Sequence, residues 1–556
     1  MATADAYADT PSLEKGADIP SATVVVETAK GEVVSSDVVE GQRTVRGLKS
    51  HHIQLIGIGS TIGTGLFLGC GRSLIAAGPL GSLLAYMVFC AVCWGVSLGA
   101  GEIATFLPIR GGFISWASLY VDPAVSTAVG WNYFYAASMF ACADIVGAAG
   151  LFGFWWPNIS PAVWISISLV IITALNVFHV RFYGQSEFYF ASLKVLLILA
   201  VILMTFVVML GGNPAHDRIG FRYWRDPGVW AEYYTTGPFG RFLGFWNVFK
   251  IAAYSVGGPE FVSMCAGEAE RPRRVIPKAI KAILFRLTLF FFFGILACGI
   301  LVPYNDATLA EALATGVGSN ASAYVVGMQR VGIKVMPDIF NALVITSALS
   351  CANGFGYVGS RVLYSLACQG QAPKIFARTT KTGVPIYAFA VLLAIFCLCY
   401  MQVSTSAATV FGWFINLSSV AQLLNYVAMC CITLRFRSGL KLQGFDRSHL
   451  PWSRPETVPY TWASLILLVL IVFTQGWLVF TKGNWDVQTF LTCYFGIGFV
   501  VVVYVFWKLY HKTSFVRRSE MDFTSRVEEF DALEEYYAAN EVKPTTWYGK
   551  AWDKIM

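Results

Sequence analysis

Charge is what this sequence has least of. Asp, Glu, Lys and Arg together make up 13% of 556 residues, against 56% apolar residues. One soluble core cannot hide that much apolar surface, so lipid must act as solvent for much of the chain. Histidine is scarce as well. His51, His52, His179, His216, His449 and His511 all fall in expected tails, loops or span ends. No histidine remains within a span for metal or acyl-transfer chemistry, which excludes most integral-membrane enzymes. No GxxxxGK[ST] run is present, which argues against an ATP-driven pump. The thirteen cysteines show no ligand spacing, and most of them, such as Cys90, Cys93, Cys142 and Cys298, sit inside apolar runs as small filler side chains. Residues 1–50 hold no apolar run able to serve as a signal peptide and are rich in Ser, Thr, Glu and Asp, which reads as a disordered cytosolic tail. The chain is therefore expected to be no enzyme, to need neither cofactor nor metal, and to bind no nucleic acid.

What the sequence does have is long apolar runs. A helical span needs about 20 such residues, and hydropathy places about twelve, near 53–75, 80–106, 125–153, 160–180, 187–210, 242–266, 282–302, 336–367, 385–401, 407–434, 460–481 and 486–509. The expected fold is an all-α integral membrane protein, with a transmembrane domain over 51–512 between cytosolic tails at 1–50 and 513–556. Arg43, Arg46 and Lys49 precede the first span. Arg271, Arg273, Arg274, Lys278 and Lys281 follow the sixth, Lys374, Arg378 and Lys381 the eighth, Arg435, Arg437 and Lys441 the tenth, and Lys508, Lys512, Arg517 and Arg518 the last. By the positive-inside rule, even-numbered spans end in the cytosol and both termini are cytosolic. The connection from Asp217 to Arg241, with four arginines, opposes this assignment and is outvoted. Near the C-terminus, acidic residues from Glu528 to Glu535 alternate with Phe530, Leu533, Tyr536 and Tyr537, the pattern of a short amphipathic helix docked on the cytosolic face.

Two spans carry their own breakers. Four glycines crowd into Gly57-Ile58-Gly59-Ser60-Thr61-Ile62-Gly63-Thr64-Gly65, and each costs on the order of 1 kcal/mol inside a helix. Freed backbone groups at membrane depth are tolerated only where they line a cavity or are buried in protein, and the amides of a second half-helix present a positive dipole end to a carboxylate. Close packing of helices through small residues is the competing explanation. The sixth span repeats the device in Tyr254-Ser255-Val256-Gly257-Gly258-Pro259-Glu260. Breaks at corresponding places in two halves are expected of a five-plus-five inverted repeat with a site at the repeat interface and two helices appended.

The sequence also resembles the fungal amino acid permeases of the amino acid-polyamine-organocation superfamily. The likeness runs from Arg46 to about Phe530. It rests on Arg46-Gly47-Leu48-Lys49 with His51-His52, on GIGSTIGTGLFLG in the first span, and on Gly101-Glu102-Ile103-Ala104-Thr105-Phe106-Leu107-Pro108 in the second. It continues through Trp131-Asn132-Tyr133, Tyr183-Gly184 with Glu187 and Lys194, Gly267-Glu268-Ala269-Glu270-Arg271-Pro272-Arg273, Ser360-Arg361, and Gln369-Gly370-Gln371-Ala372-Pro373-Lys374. The resemblance implies proton-coupled import of amino acids by alternating access. Matched by position, the substrate carboxylate would rest on Ser60, Thr61, Ile62, Gly63, Thr64 and Gly65. The amino group would rest on carbonyls of the first and sixth spans, with Tyr254, Ser255, Val256 and Gly258 at the second break and Tyr254 either a lid or a packing residue. Three places depart from the commoner pattern: Gly258-Pro259-Glu260, Cys142-Ala143-Asp144 and Asn353-Gly354. They suggest the low-affinity general permeases of broad range.

Intramembrane charges are expensive and are functional candidates by default. Glu102, Asp144, Glu187, Lys194, Glu260 and Glu268 form the set. In relatives the lysine matching Lys194 sits beside the first break in place of a sodium ion, which makes Lys194 a candidate proton carrier, with Glu260, Glu102 and Glu187 as coupling acids; a snorkelling lysine is the alternative. Asp144 reads either a substrate amino group or a helix-to-helix hydrogen bond, and Asn353 is a further substrate candidate. Glu268, Glu270, Arg271 and Arg273 form either a cytosolic gate or a plain charge anchor. Asn158 and Asn320 fit the glycosylation pattern in outer loops. Expected partners are amino acids, protons, the lipid bilayer of the plasma membrane, and ubiquitin-ligase adaptors reading tail lysines such as Lys15 and Lys30. Two other functions stay open: an amino acid sensor that signals without flux, and a carrier of S-adenosylmethionine or another organic cation.

Overall fold

The computed structural model describes residues 62–177, 180–269, 271–315, 322–380, 383–447, 450–524, 527, 530–531 and 534–535. In chain order its helices are α1 (Thr64–Phe67), α2 (Gly69–Phe106), α3 (Gly112–Tyr120), α4 (Pro123–Phe152), α5 (Pro161–Val177), α6 (Val180–Met209), α7 (Gly237–Ser255), α8 (Pro259–Cys265), α9 (Pro272–Leu301), α10 (Ala307–Thr315), α11 (Ala323–Arg330), α12 (Met336–Cys368), α13 (Ile386–Phe396), α14 (Ala407–Leu442), α15 (Thr457–Thr474) and α16 (Val487–His511). Among the described residues nine helices are long and apolar enough to cross a membrane. With the shorter α5, the broken pair α7 and α8, and the part of the first span up to Gly78, they account for the twelve expected spans of an all-α bundle.

Local chemistry sets the ends. Asp122 caps α4 by accepting from the Ala124 amide, with Pro123 at the first helical position. Ser406 and Asp486 cap α14 and α16 by accepting from Thr409 and Thr489. α2 joins the later part of the first span to the second span, two helical segments that meet at non-helical backbone at Gly78 (φ 74°, ψ 177°) just before Pro79. Only glycine fits that bend, since a Cβ there would lie 2.6 Å from the Ala231 amide nitrogen. Hydropathy set α9 ten residues too short, because its first turns carry Arg273, Arg274, Lys278 and Lys281. It ended the tenth span before Arg435 and Arg437, although α14 continues to Leu442. The short helices α3, α10 and α11 were not anticipated.

α12 and α14 each pack on α4 at the centre, where α4 is buried on nearly every side. At the rim, 11% of the apolar window of α16 is buried, and Leu203, Phe206, Val502 and Phe506 point outward. Such a face requires lipid rather than water. One end of the bundle is covered by residues 513–524 together with Phe530 and Asp531. There Phe523 stacks on Tyr120 at 5.8 Å and meets Phe106, Phe436 and Phe445. Gln443 donates to the carbonyls of Arg518 and Met521, Phe530 is buried, and Asp531 pairs with Arg273. This end is called the tail face below. The expected amphipathic helix after Glu528 falls mostly outside the described residues, as do the N-terminal tail, Lys15, Lys30 and Asn320.

Candidate functional site

Two chain breaks meet inside the bundle. At the first, Gly63 is extended (φ −139°, ψ −149°) and α1 begins at Thr64, whose amide donates to Asp144 Oδ1 at 3.4 Å, while the amides that follow it have no acceptor earlier in the helix. At the second, Val256 is extended and Gly258 takes φ 136° before Pro259 opens α8. A Cβ on Gly65 would stand 2.7 Å from the Ser255 Cα; the missing side chain is what allows the two breaks to touch. Ser60 and Thr61 lie outside the described residues. Tyr86 meets the Ser255 hydroxyl at 3.3 Å, and Ser255 donates to the Ile251 carbonyl.

A small cavity of about 20 Å³ lies between the breaks, room for about one water molecule. Gly63, Thr64 and Gly65 line one side, and Tyr254, Ser255, Gly257 and Glu260 the other. Asp144 and Phe140 reach in from α4, Cys351 and Phe355 from α12, and Gln422 from α14. The Thr64 hydroxyl is the hub. It donates to Asp144 Oδ1 at 2.6 Å and, with its proton so committed, accepts from the Tyr254 hydroxyl at 2.5 Å. Tyr254 stacks on Phe140 (5.5 Å, 13°) and Phe140 on Phe355 (4.7 Å, 10°), an aromatic wall along one flank. Glu260, in the first turn of α8, accepts from the Gly258 amide at 3.2 Å and from the Tyr426 hydroxyl at 2.9 Å.

Behind the first break sits Lys194, 1% exposed on α6. Its ammonium donates to Cys351 Sγ at 3.1 Å, and the thiol donates to the Ile62 carbonyl at 3.3 Å. Ser347 reaches the same carbonyl at 3.0 Å, so the acceptor released by the break is shared between two donors of α12. Glu187 is buried on α6 two turns before Lys194 and accepts from Ser350 at 3.2 Å.

Other candidates lie elsewhere. Glu102 is fully buried towards the tail face, where Arg437 binds both its oxygens and Thr457 and the Arg454 amide donate to it. It ties α2 to α14 and α15 and does not line the cavity. Asn353 points to α5, accepting from Asn176 at 2.7 Å, and Val256 is buried behind the break. Among the gate candidates, Arg271 precedes α9 and Arg273 pairs with Asp531. Glu270 and the side chain of Glu268 lie outside the described residues. Sequence reading passed over Phe140, Phe355, Gln422 and Cys351. The small polar run Ser350-Cys351-Ala352-Asn353-Gly354 in an apolar span is the signal that marks Cys351.

Comparison with known proteins agrees with this architecture. The amino acid permease family model matches residues 52–520. The chain belongs to the amino acid permease family. The permease is 38% identical to the proline-specific permease of Emericella nidulans over 98% of this chain and 97% of that one. It is 38% identical to the dicarboxylic amino acid permease of Saccharomyces cerevisiae over 89% and 82% of the two chains, and 33% identical to a general amino acid permease of the same yeast over 91% and 86%. The permease is thus a multi-pass membrane protein of the family's twelve-span fold and an amino acid transporter, and its cavity between the broken spans is the candidate substrate site.

Proposed function

We infer that the permease carries a broad range of neutral amino acids together with protons, by alternating access around the cavity between the two breaks. The observation that carries the coupling is the chain from Lys194 through Cys351 to the Ile62 carbonyl. A change in the charge of Lys194 alters the donor that holds the broken first span, so protonation and the conformation of the break are linked. The substrate carboxylate takes the amides at Gly63, Thr64 and Gly65, and the ammonium group takes Asp144 and the carbonyls ending α7. The side chain meets Phe140, Phe261 and Phe355, a wall with no charge of its own that tolerates many apolar shapes. Relatives named for proline, dicarboxylic amino acids and lysine differ in substrate, which agrees with specificity set by a few wall residues. The basic residues at the tail face support a cytosolic assignment for that face, with both termini inside and the plasma membrane as the working site. Ubiquitin-ligase adaptors acting on the tails belong to the same reading.

Uptake of a labelled amino acid panel by permease-deficient yeast, at acidic and neutral pH and with Lys194→Ala alongside, tests this reading. Broad uptake that rises in acid and is lost in the variant supports it. Uptake indifferent to pH points to exchange, uptake confined to organic cations points to the S-adenosylmethionine type of carrier, and binding without flux points to a sensor.

A further inference from the structure

A second small cavity, of about 30 Å³, lies next to the first. Its walls include Gly150 and Leu151 at the end of α4 and Ala407 and Ala408 at the start of α14, which places it on the side away from the tail face. Phe411 stands between the two chambers: it lines the second and meets the Tyr254 ring edge-on at 6.1 Å. Among the described residues Arg72 is the one charged group on this second wall. Its guanidinium donates to the Ala408 carbonyl at 3.0 Å and lies 5.3 Å from the centre of the Phe411 ring; no carboxylate among the described residues pairs with it. Two further features add positive potential. Lys250, one turn before Tyr254 on α7, lies within electrostatic reach of Arg72, and the amino terminus of the 36-residue α14 closes the chamber.

An apolar chamber with a single guanidinium, a second cation nearby and a helix amino terminus in its wall suits a carboxylate and opposes an ammonium. We propose that this chamber is an outer subsite that receives the α-carboxylate of an arriving amino acid on Arg72 before it passes Phe411, and that Arg72 with Lys250 disfavours substrates with a cationic side chain. The proposal rests on the reading of the inner cavity as the substrate site. It adds a charge filter ahead of that site, one that acts on admission rather than on final binding.

The test uses the full chain in proteoliposomes, with uptake of a labelled neutral amino acid that the panel identifies and with unlabelled glutamate and lysine as competitors. Arg72→Gln is expected to raise KM at least fivefold with the maximal rate changed less than twofold. In the same variant glutamate should lose, and lysine gain, at least threefold in inhibitory potency relative to the neutral amino acid. Arg72→Lys keeps the charge and should retain the wild-type order of inhibitors. Ala407→Asp adds a carboxylate to the wall while leaving Arg72 intact, so it decides the question even if Arg72→Gln fails to fold; it should shift the inhibitors in the same direction. Unchanged KM and unchanged inhibitor ratios in Arg72→Gln or, where that variant fails to fold, in Ala407→Asp, with Thr64→Val still raising KM at least tenfold, would overturn the outer subsite and leave the inner one standing. An unchanged KM in Thr64→Val would instead remove the inner-site reading, and the proposal with it.

Discussion

Lys194 donates to the sulfur of Cys351 at 3.1 Å, and that sulfur faces the carbonyl of Ile62 at 3.3 Å. A cation on one span is thereby joined, through one polarisable atom, to the unwound backbone of another. Cys351→Ser keeps a donor in this position and should retain acid-stimulated uptake, whereas Cys351→Ala removes the link and should lower the acid stimulation several-fold while surface expression persists. Parallel uptake curves for the alanine variant and the parent from acid to neutral pH would show that the sulfur plays no part in coupling.

Thr64 holds Asp144 and Tyr254 together with one hydroxyl. Thr64→Val preserves shape but leaves a buried carboxylate short of a donor, and hydrogen bonds to charged groups contribute about 1.5–3 kcal/mol. Apparent affinity should therefore fall by roughly 10- to 100-fold, read as a rise in KM in the uptake assay. Thr64→Ser keeps the hydroxyl and should stay within a few-fold of the parent.

Glu102 and Arg437 form a buried pair towards the tail face, remote from the cavity lining. Removing one partner of such a pair costs about 3–5 kcal/mol. Glu102→Gln should lower the melting temperature of the detergent-purified protein clearly, while the fraction that stays folded transports with an unchanged pH profile. An altered pH profile at normal thermal stability would return Glu102 to the coupling machinery.

Gly258 sits at φ 136° at the second break, a conformation that costs a residue with a Cβ about 1–3 kcal/mol. Its amide also donates to Glu260. Gly258→Ala should relax the break toward continuous helix and slow uptake more than tenfold, with surface expression and melting temperature largely kept. The transport rate of surface-expressed protein, compared with Gly383→Ala in an open turn, separates a site effect from general strain.

What could be read from the sequence were the features that glycine, proline and charge announce. The break at Gly257-Gly258-Pro259 and the candidacy of Lys194 and Asp144 follow from residues that are costly inside an apolar helix, whereas only the family resemblance places Lys194 beside the first break, and Asp144 reads as either a substrate contact or a helix-to-helix hydrogen bond. The facing of residues along a helix was harder to read. Glu102 and Asn353 are as costly as Asp144 in a span, yet one meets Arg437 and the other Asn176, because the pairing is decided by which spans become neighbours. The aromatic wall was hidden for a related reason: α4 is buried almost all round, so its sequence has no apolar stripe to distinguish Phe140, which lines the cavity, from Phe134, which lies in the general core. Helices α3, α10 and α11 escaped notice because they are too short for a hydropathy window.

The bend at Gly78 has a mechanical meaning. The second half of the first span and the whole of the second are two helical segments joined directly at Gly78, with no loop between them. When the substrate-bearing half tilts, the motion must flex that joint or swing the second span with it. Because Gly78 is packed against the backbone around Val229, Trp230 and Ala231, the 220–236 connection acts as the bearing of this hinge. Stiffening that connection would slow the opening of the site from a distance, with no contact to substrate at all.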